Sequence, residues 1–242
     1  MKLAAASLAL LAAAGLAQAD VTFYSNDFEA QTLGPEWSSN SVLSTLTPFT
    51  RYNGRYSNGY TQLTLGFPTI GTNTLMSNSG GGSGEGGGGG GGGGGETHLL
   101  FRLTFDFFAI DSWDGDANYI NYQGVRAGPD WLDVNVNQTN IFRETFNNRG
   151  YTQTFREPDQ LRVNLGYVPE FQDAIYRSIT LEFTATPNQP LVIRWQDSGL
   201  QGLADESWGI DNVNLSYTVI PAPASLTLAA GGLALGARRR RR

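Results

Sequence analysis

The segment Leu99-Leu-Phe-Arg-Leu-Thr-Phe-Asp-Phe107 gives the strongest indication of the fold, because apolar and polar side chains alternate along it from Phe101 onward. One face of an extended chain would carry Leu99, Phe101, Leu103, Phe105 and Phe107, and the other would carry Arg102, Thr104 and Asp106. Successive side chains of a β-strand point to opposite sides of the sheet. The pattern therefore predicts a strand with one buried face.

The same period of two recurs along the chain. Further alternating sets are Leu132, Val134 and Val136; Ile179, Leu181 and Phe183; Leu191, Ile193 and Trp195; and Val213, Leu215 and Tyr217, with shorter candidates at Val21–Tyr24 and Gln62–Leu65. No segment between the two ends carries an apolar stripe of helical period. The sequence therefore predicts an all-β fold, a two-sheet β-sandwich of the jelly-roll kind.

A glycine-rich segment interrupts this pattern between residues 77 and 96, with glycine at every position from Gly86 to Gly95. Glycine has no side chain to bury and the largest backbone entropy, so we expect a disordered loop. A linker between two domains is the alternative. We prefer an insertion within one domain, residues 20–218, because the few strands that precede the glycines cannot bury a core by themselves.

The N-terminal residues have the three parts of a secretory signal peptide. Lys2 is followed by an apolar stretch from Leu3 to Leu16 and by Ala17-Gln18-Ala19. Small side chains at this distance from an apolar segment mark a cleavage site. We expect residues 1–19 to be removed on export; a buried N-terminal helix is the alternative.

The C-terminal residues 219–242 form a tail of different composition. Prolines at 221 and 223 end the last strand, an apolar segment runs from Ala224 to Ala237, and five arginines follow. A helix over the apolar segment would be about 21 Å long, against a hydrocarbon core of about 30 Å. Arginines beside such a marginal span favour the cytoplasmic side, so the body would lie outside.

This order of parts resembles the PEP-CTERM sorting signal of exported bacterial proteins. The resemblance rests on Pro221, Ala222 and Pro223 and on the terminal cluster that includes Arg238, Arg239 and Arg240. It implies transient anchoring by the apolar helix, processing by an exosortase, and delivery to the cell surface or extracellular matrix, often where exopolysaccharide is made. Ala222 replaces the middle Glu of the usual motif, and a plain C-terminal anchor is the alternative.

The charge of the body excludes one class of partner. Lys2 and the terminal arginines account for six of the 16 basic residues, which leaves ten against 22 acidic residues, a net charge of −12. Nucleic-acid binding needs a basic face, so we expect none. The chain has no cysteine and hence neither disulfides nor thiolate metal sites. A bound hard cation would suit this composition.

Acidic motifs stand at both ends of the body, at Asn26-Asp27-Phe28-Glu29 and at Asp211-Asn212-Val213. Here the chain resembles galactose-binding-like jelly rolls, including carbohydrate-binding modules and MAM-type domains. The resemblance implies neighbouring first and last strands and a structural calcium held by Asp27, Glu29 and Asp211, with Asn26 and Asn212 as further candidates. Calcium binds such oxygens, and three carboxylates without a cation would repel one another. The alternative is that these residues cap turns.

A second acidic cluster lies in the middle of the chain, with Asp111, Asp114, Asp116 and Asp130 around two glycine turns. Alternating carboxylates near glycine resemble a calcium loop, although the spacing departs from the EF-hand pattern. An acidic surface loop is the alternative. Nearby, Trp113 and Trp131 would form either a sugar-stacking face or the edge of the core.

Signatures of catalysis are scarce. The single histidine, His98, sits where a strand begins, and the sequence has no nucleophile elbow, zinc-protease motif or phosphate-binding loop. A glycosidase needs two carboxylates, but no pair here carries a signature. We expect an exported, non-catalytic module that binds glycan or matrix material. A structural or adhesive protein without a small ligand and a carbohydrate-active enzyme are the alternatives.

Overall fold

The computed structural model of the protein describes residues 19–45, 51–68, 98–121, 124–165, 167–185 and 189–220. Within these ranges the chain forms thirteen β-strands and no helix. The strands are β1 (Val21–Asn26), β2 (Leu43–Thr45), β3 (Arg51–Tyr56), β4 (Tyr60–Leu65), β5 (His98–Asp111), β6 (Tyr119–Ile120), β7 (Arg126–Ala127), β8 (Trp131–Val136), β9 (Thr139–Thr145), β10 (Gln160–Val163), β11 (Asp173–Thr184), β12 (Leu191–Ser198) and β13 (Glu206–Ile220).

The all-β prediction is confirmed, and each predicted alternating segment lies in a strand. β13 continues to Ile220, two residues past the predicted end of the body at 218. The glycine-rich segment, nearly all of the predicted signal peptide, and the tail with Pro221, Ala222, Pro223, Arg238, Arg239 and Arg240 lie outside the described residues. Among the residues with described structure, no helix is long and apolar enough to cross a bilayer.

Two sheets form the body of the sandwich. The large sheet has the order β10-β11-β5-β13-β3-β2, and β1 also pairs with β13. The small sheet has the order β4-β12-β8-β9. A further pair, β6 with β7, lies between β5 and β8 in the sequence. The two longest neighbours, β5 and β13, pair antiparallel from Glu206 opposite Asp111 to Ile220 opposite His98.

The core lies between the sheets, and aromatic side chains join them. Phe105 of β5 meets Trp195 of β12 edge to face with ring centroids 5.7 Å apart, and both are fully buried. Phe107 of β5 lies 4.5 Å from Phe146, which follows β9. Full burial of one such side chain stabilises a fold by about 1.5–3 kcal/mol. The inward face of β5 therefore anchors both layers.

The first and last strands are neighbours, as expected. β1 pairs antiparallel with β13, from Val21 opposite Tyr217 to Asn26 opposite Val213. Just before this pairing, β13 makes a bulge at Asn212, whose φ is 51°. The bulge lies between the part of β13 that pairs with β3 and the part that pairs with β1.

Candidate metal centre

Three acidic side chains from separate parts of the chain meet at one end of the sandwich. They are Asp114, in the loop after β5; Asp130, immediately before β8; and Glu206, the first residue of β13. One carboxylate oxygen of each lies within 4.8 Å of an oxygen of each of the others. Their exposed fractions are 2%, 0% and 0%. We call these three residues the acidic triad.

Local backbone structure explains how the loop reaches this point. Gly115 has a φ of 61°, and a Cβ there would lie 2.2 Å from the Thr152 carbonyl oxygen. Only glycine tolerates both conditions, so the chain turns sharply directly after Asp114. The Gly115 carbonyl then accepts a hydrogen bond of 2.9 Å from the Asp130 N–H. The two ends of the loop are thereby joined beside Glu206.

Each member of the triad has one oxygen without a hydrogen bond. Asp130 Oδ2 accepts from the Asp114 N–H, and Glu206 Oε2 accepts from the Gln201 N–H at 2.6 Å. Asp114 Oδ1, Asp130 Oδ1 and Glu206 Oε1 are buried and accept no hydrogen bond. An unsatisfied buried polar group costs about 1–3 kcal/mol. Three of them together are a large cost against a total stability of about 5–15 kcal/mol.

Burial also makes the charged forms of these carboxyls unfavourable. Burial, followed by repulsion from Asp130 and Asp114, raises the pKa of Glu206 to about 9. Burial also raises the pKa of Asp130 to about 7, with repulsion from Asp114 in the same direction. The pKa of Asp114 is raised by burial too, and the charge of Arg149 opposes the shift. The triad therefore holds protons unless a cation replaces them.

The nearby positive charge is too small to balance the triad. Arg149 Nε lies 3.9 Å from Asp114 Oδ1, beyond hydrogen-bonding distance, and its side chain is 40% exposed. With all three carboxylates ionised, one guanidinium leaves the triad with a net charge of about −2, and Asp205 adds repulsion to each member. A divalent cation would offset most of this negative charge. A site built from carboxylate oxygens alone suits a hard cation such as Ca²⁺ or Mg²⁺.

The four acids predicted in the middle of the chain have different roles. Asp114 and Asp130 belong to the triad, and metal binding by them stays a prediction. Asp111 instead forms a 2.8 Å ion pair with Arg55, and its other oxygen accepts from the Val168 N–H. Asp116 is exposed and accepts from the Thr145 hydroxyl. These two carboxylates point to protein donors rather than to the triad.

Glu206 was not among the predicted ligands, although the sequence contains a signal for it. Trp208 and Ile210 belong to the core, and Glu206 has the same parity on β13. An acid in phase with core side chains is placed in the interior, where it needs a compensating group. Its partners Asp114 and Asp130 are distant in the sequence, so the alternation alone does not identify them.

The acids predicted near the first and last strands lie close together but less tightly than the triad. Burial raises the pKa of Asp211 to about 7, with repulsion from Asp106, Glu29 and Asp27 in the same direction. In the described part of the chain, the triad is the one set of three such side chains within 4.8 Å. A cation at Asp27, Glu29, Asp211 and Asn212 therefore stays a prediction.

Several of these side chains also act as turn caps. Asn26 Oδ1 accepts from the Phe28 N–H at 2.7 Å, and Asp27 Oδ1 accepts from the Glu29 N–H at 3.2 Å. Asp211 Oδ1 accepts from the Asn212 N–H at 2.7 Å. These bonds are the Asx-type contacts that the alternative interpretation of the motif required.

Asp106, which the sequence did not single out, lies opposite Asp211 in the sheet. Its Oδ1 accepts from the Ser178 N–H at 2.7 Å, and its Oδ2 accepts from Asn212 Nδ2 at 3.0 Å and from Arg177 at 3.1 Å. Ser178 and Asn212 are both bulge residues with positive φ. Asp106 therefore stabilises two adjacent bulges on either side of β5.

The two tryptophans and the histidine singled out in the sequence lie in different environments. Trp113 is fully buried, donates to the Ser207 carbonyl at 2.7 Å and packs against Phe107, so it is a core residue. Trp131 is partly exposed and stacks with Arg143. His98 is an exposed residue at the start of β5, in agreement with its interpretation as a strand end.

Comparison with known proteins adds little to this geometry. No protein-family model matches the sequence, and no curated protein matches it at a significant level. Among solved structures, the chain is similar to dimeric latent PorU from Porphyromonas gingivalis, with a TM-score of 0.37 and 11% sequence identity. The match covers 85% of this chain and 13% of the PorU chain. Nothing about function follows from a similarity of this size.

The raised pKa values predict how pH affects the cation-free protein. Between the ordinary Glu pKa of 4.5 and about 9, folded Glu206 keeps a proton that the unfolded chain has released. Stability in a chelator should therefore fall as pH rises across this window. Replacing Glu206→Gln should reduce the fall and make the variant more stable than the parent at pH 8–9 in thermal melts.

Glu182→Gln serves as the matched control, because the Glu182 side chain is 47% exposed and pairs with Arg102 at the surface. That variant should follow the pH dependence of the parent. A parent protein whose melting temperature in chelator is constant or rises between pH 5 and pH 9 would contradict the assignment.

Proposed function

We propose that the chain is an exported, non-catalytic β-sandwich module of the jelly-roll kind, stabilised by a structural calcium ion at the acidic triad. It binds glycan or extracellular matrix material at the cell surface. One observation carries the calcium assignment. Three buried carboxylates lie within 4.8 Å of one another, and each has an oxygen that accepts no hydrogen bond.

The position of the triad favours a structural role for the ion. Asp130 leads directly into β8 of the small sheet, whereas Glu206 begins β13 of the large sheet. Asp114 belongs to the loop that connects β5 with β6. An ion bound to all three would join the two sheets and this loop, and would do in a chain without cysteine what a disulfide does elsewhere.

Calcium is the cation of choice on coordination grounds. It accepts six to eight oxygen ligands in flexible geometry, whereas Mg²⁺ requires near-octahedral geometry and keeps several waters. The triad offers three carboxylates from three separate segments. Extracellular modules bind calcium with dissociation constants of about 10⁻⁴–10⁻³ M, which suits an exported protein.

Burial argues against catalysis by the triad. A glycosidase needs two carboxyl groups that flank a bound sugar. Asp130 and Glu206, whose pKa values are raised the most within the triad, are both fully buried. No substrate can reach them in this conformation, so their perturbed pKa values fit an ion site better than an acid–base pair.

The sequence supplies the argument for export. The predicted signal peptide and the arginine-terminated tail orient the body to the same side of the membrane. The PEP-CTERM-like tail adds an exosortase-type enzyme as a processing partner and the cell surface or matrix as the destination. Glycan is the material most consistent with that destination and with the resemblance to galactose-binding-like jelly rolls.

Calcium should raise the melting temperature of the purified protein relative to chelator, and Asp130→Asn or Glu206→Gln should remove most of this response. At free calcium a hundredfold above the dissociation constant, the stabilisation is about 2.7 kcal/mol. Equal concentrations of Mg²⁺ should stabilise less. Differential scanning calorimetry with equilibrium dialysis measures both the shift and the stoichiometry.

Asp211→Asn distinguishes the two acidic groups. If the ion is at the triad, this variant keeps the calcium response. Loss of the response in Asp211→Asn but not in Asp130→Asn would move the ion to the first and last strands. The absence of any calcium response in the parent would refute the calcium assignment.

Processing is tested by the mass of the protein recovered from its producing cells. We expect an N terminus at Asp20 and a C terminus before Arg238, because both end segments are proposed to be removed. Intact-mass spectrometry measures both ends at once. A mass that includes the arginine cluster would instead support a plain anchor.

The calcium-loaded protein should bind matrix-type polysaccharides on a glycan array without cleaving them. A reducing-end assay on the bound polysaccharides should give no increase over buffer. Release of reducing ends would favour the enzyme alternative. No binding across the array would favour a structural or adhesive protein.

A further inference from the structure

The outer face of the small sheet carries a polar groove. Its volume is about 230 Å³, and its walls are Gln62, Asn135, Gln138, Val192, Arg194 and Gln196. Gln62 and Asn135 lie directly opposite Arg194 on the two neighbouring strands, β4 and β8. A row of polar side chains therefore crosses three strands on a face that does not contribute to the core.

The amide groups of this groove are available to a ligand. Within the described ranges, Asn135, Gln138 and Gln196 form no side-chain hydrogen bond with the protein, and Gln62 forms one long contact of 3.4 Å to Thr64. Each amide offers a donor and an acceptor, which is the pair that vicinal hydroxyl groups require.

Arg194 is the one charged residue in the wall of the groove. Its guanidinium carbon lies 3.6 Å from the centroid of the Tyr60 ring, and its Nε is buried without a hydrogen-bond partner. No acidic side chain in the described structure forms an ion pair with it. The ring holds the guanidinium in place, so little freedom is lost when its remaining N–H groups bind an anion.

A second arginine on the small sheet, Arg143, has both an aromatic contact and a carboxylate partner. Arg143 stacks on Trp131 with its carbon 4.5 Å from the ring centroid, and it also forms a 2.8 Å ion pair with Asp133. Arg194 has the aromatic contact but lacks the carboxylate. A ligand carboxylate over Arg194 would complete the same arrangement.

We propose that this groove binds an acidic glycan, with the amides on the sugar hydroxyls and Arg194 on a uronate carboxylate. The proposal rests on the proposed glycan-binding function and specifies its site and ligand class. A protein partner fits less well, because interfaces between proteins have an apolar centre and Val192 is the one aliphatic residue in the wall. The volume is small for a binding pocket, so about one or two sugar rings would be held.

The test measures binding of trisaccharides to the calcium-loaded full chain by isothermal titration calorimetry. The acidic probes are oligogalacturonate and oligomannuronate, and the neutral probe is galactotriose. We expect at least one acidic probe to bind at least tenfold more tightly than the neutral probe. Arg194→Gln should weaken the binding of that acidic probe at least tenfold, and Arg194→Lys should weaken it less, because it keeps the charge but loses the planar fork.

Arg102→Gln is the control for loss of a positive charge, since Arg102 is half exposed on the large sheet and pairs with Glu182. It should bind like the parent. Gln196→Ala is a second groove variant, which keeps the proposal testable if Arg194→Gln does not fold. Its side chain has no internal hydrogen bond to lose, so it should weaken binding without changing the melting temperature.

Three outcomes would overturn the proposal, and they differ in what they say about the wider function. Equal binding by the parent, Arg194→Gln and Gln196→Ala would refute this groove while leaving glycan binding intact. Equal affinity for neutral and acidic probes would refute the selection for an acidic glycan. No binding of any trisaccharide by folded, calcium-loaded protein refutes the groove, and if the glycan array is also negative it refutes the proposed glycan binding as well.

Discussion

The structure depends on how buried negative charge is neutralised at one end of the sandwich. Asp114, Asp130 and Glu206 converge from a loop and from both sheets, and the surrounding backbone supplies fewer donors than they have oxygens. Two solutions exist for such a site, protonation or a cation. Protonation removes the charge but leaves acceptor oxygens unmatched. A cation would satisfy charge and coordination together, and it would join the loop after β5 to both sheets.

The hydrophobic core and the acidic triad lie in different parts of the fold. Phe105, Phe107 and Trp195 fix the distance between the two sheets through ring contacts. They do not fix the long connection from β5 to β8, whose described residues form the short β6–β7 pair. Trp113 ties the start of this connection to the core, and Asp114 and Asp130 lie at its two ends. We therefore expect stability in this region to depend on pH and on the proposed cation, and stability of the core to depend on packing.

Alternation in the sequence predicted the long core strands but not their partners, and it missed strands such as β3, β9 and β10. The period of two at Leu99–Phe107 indicates a strand with one buried face, and this signal is contained in the local sequence. Which strands pair depends on contacts between distant residues, and the triad depends on that pairing. Asp111 looked like its neighbour Asp114 in the sequence, yet Arg55, far away on β3, removes it from the site. Glu206 was detectable by its parity with Trp208 and Ile210, but its ligand partners required the register of β13.

Two acidic groups, each with one member on β13, solve the same electrostatic problem in different ways. Asp106 and Asp211 face each other across β5 and β13, and the protein supplies Arg177, the Ser178 N–H and both nitrogens of Asn212 as donors to them. Because these donors come from bulges, the irregular backbone itself compensates the charge. At Glu206, five residues earlier on the strand, regular pairing leaves no such donors for Oε1. That difference, rather than the number of acids, favours the triad over the first and last strands as the place for the proposed ion.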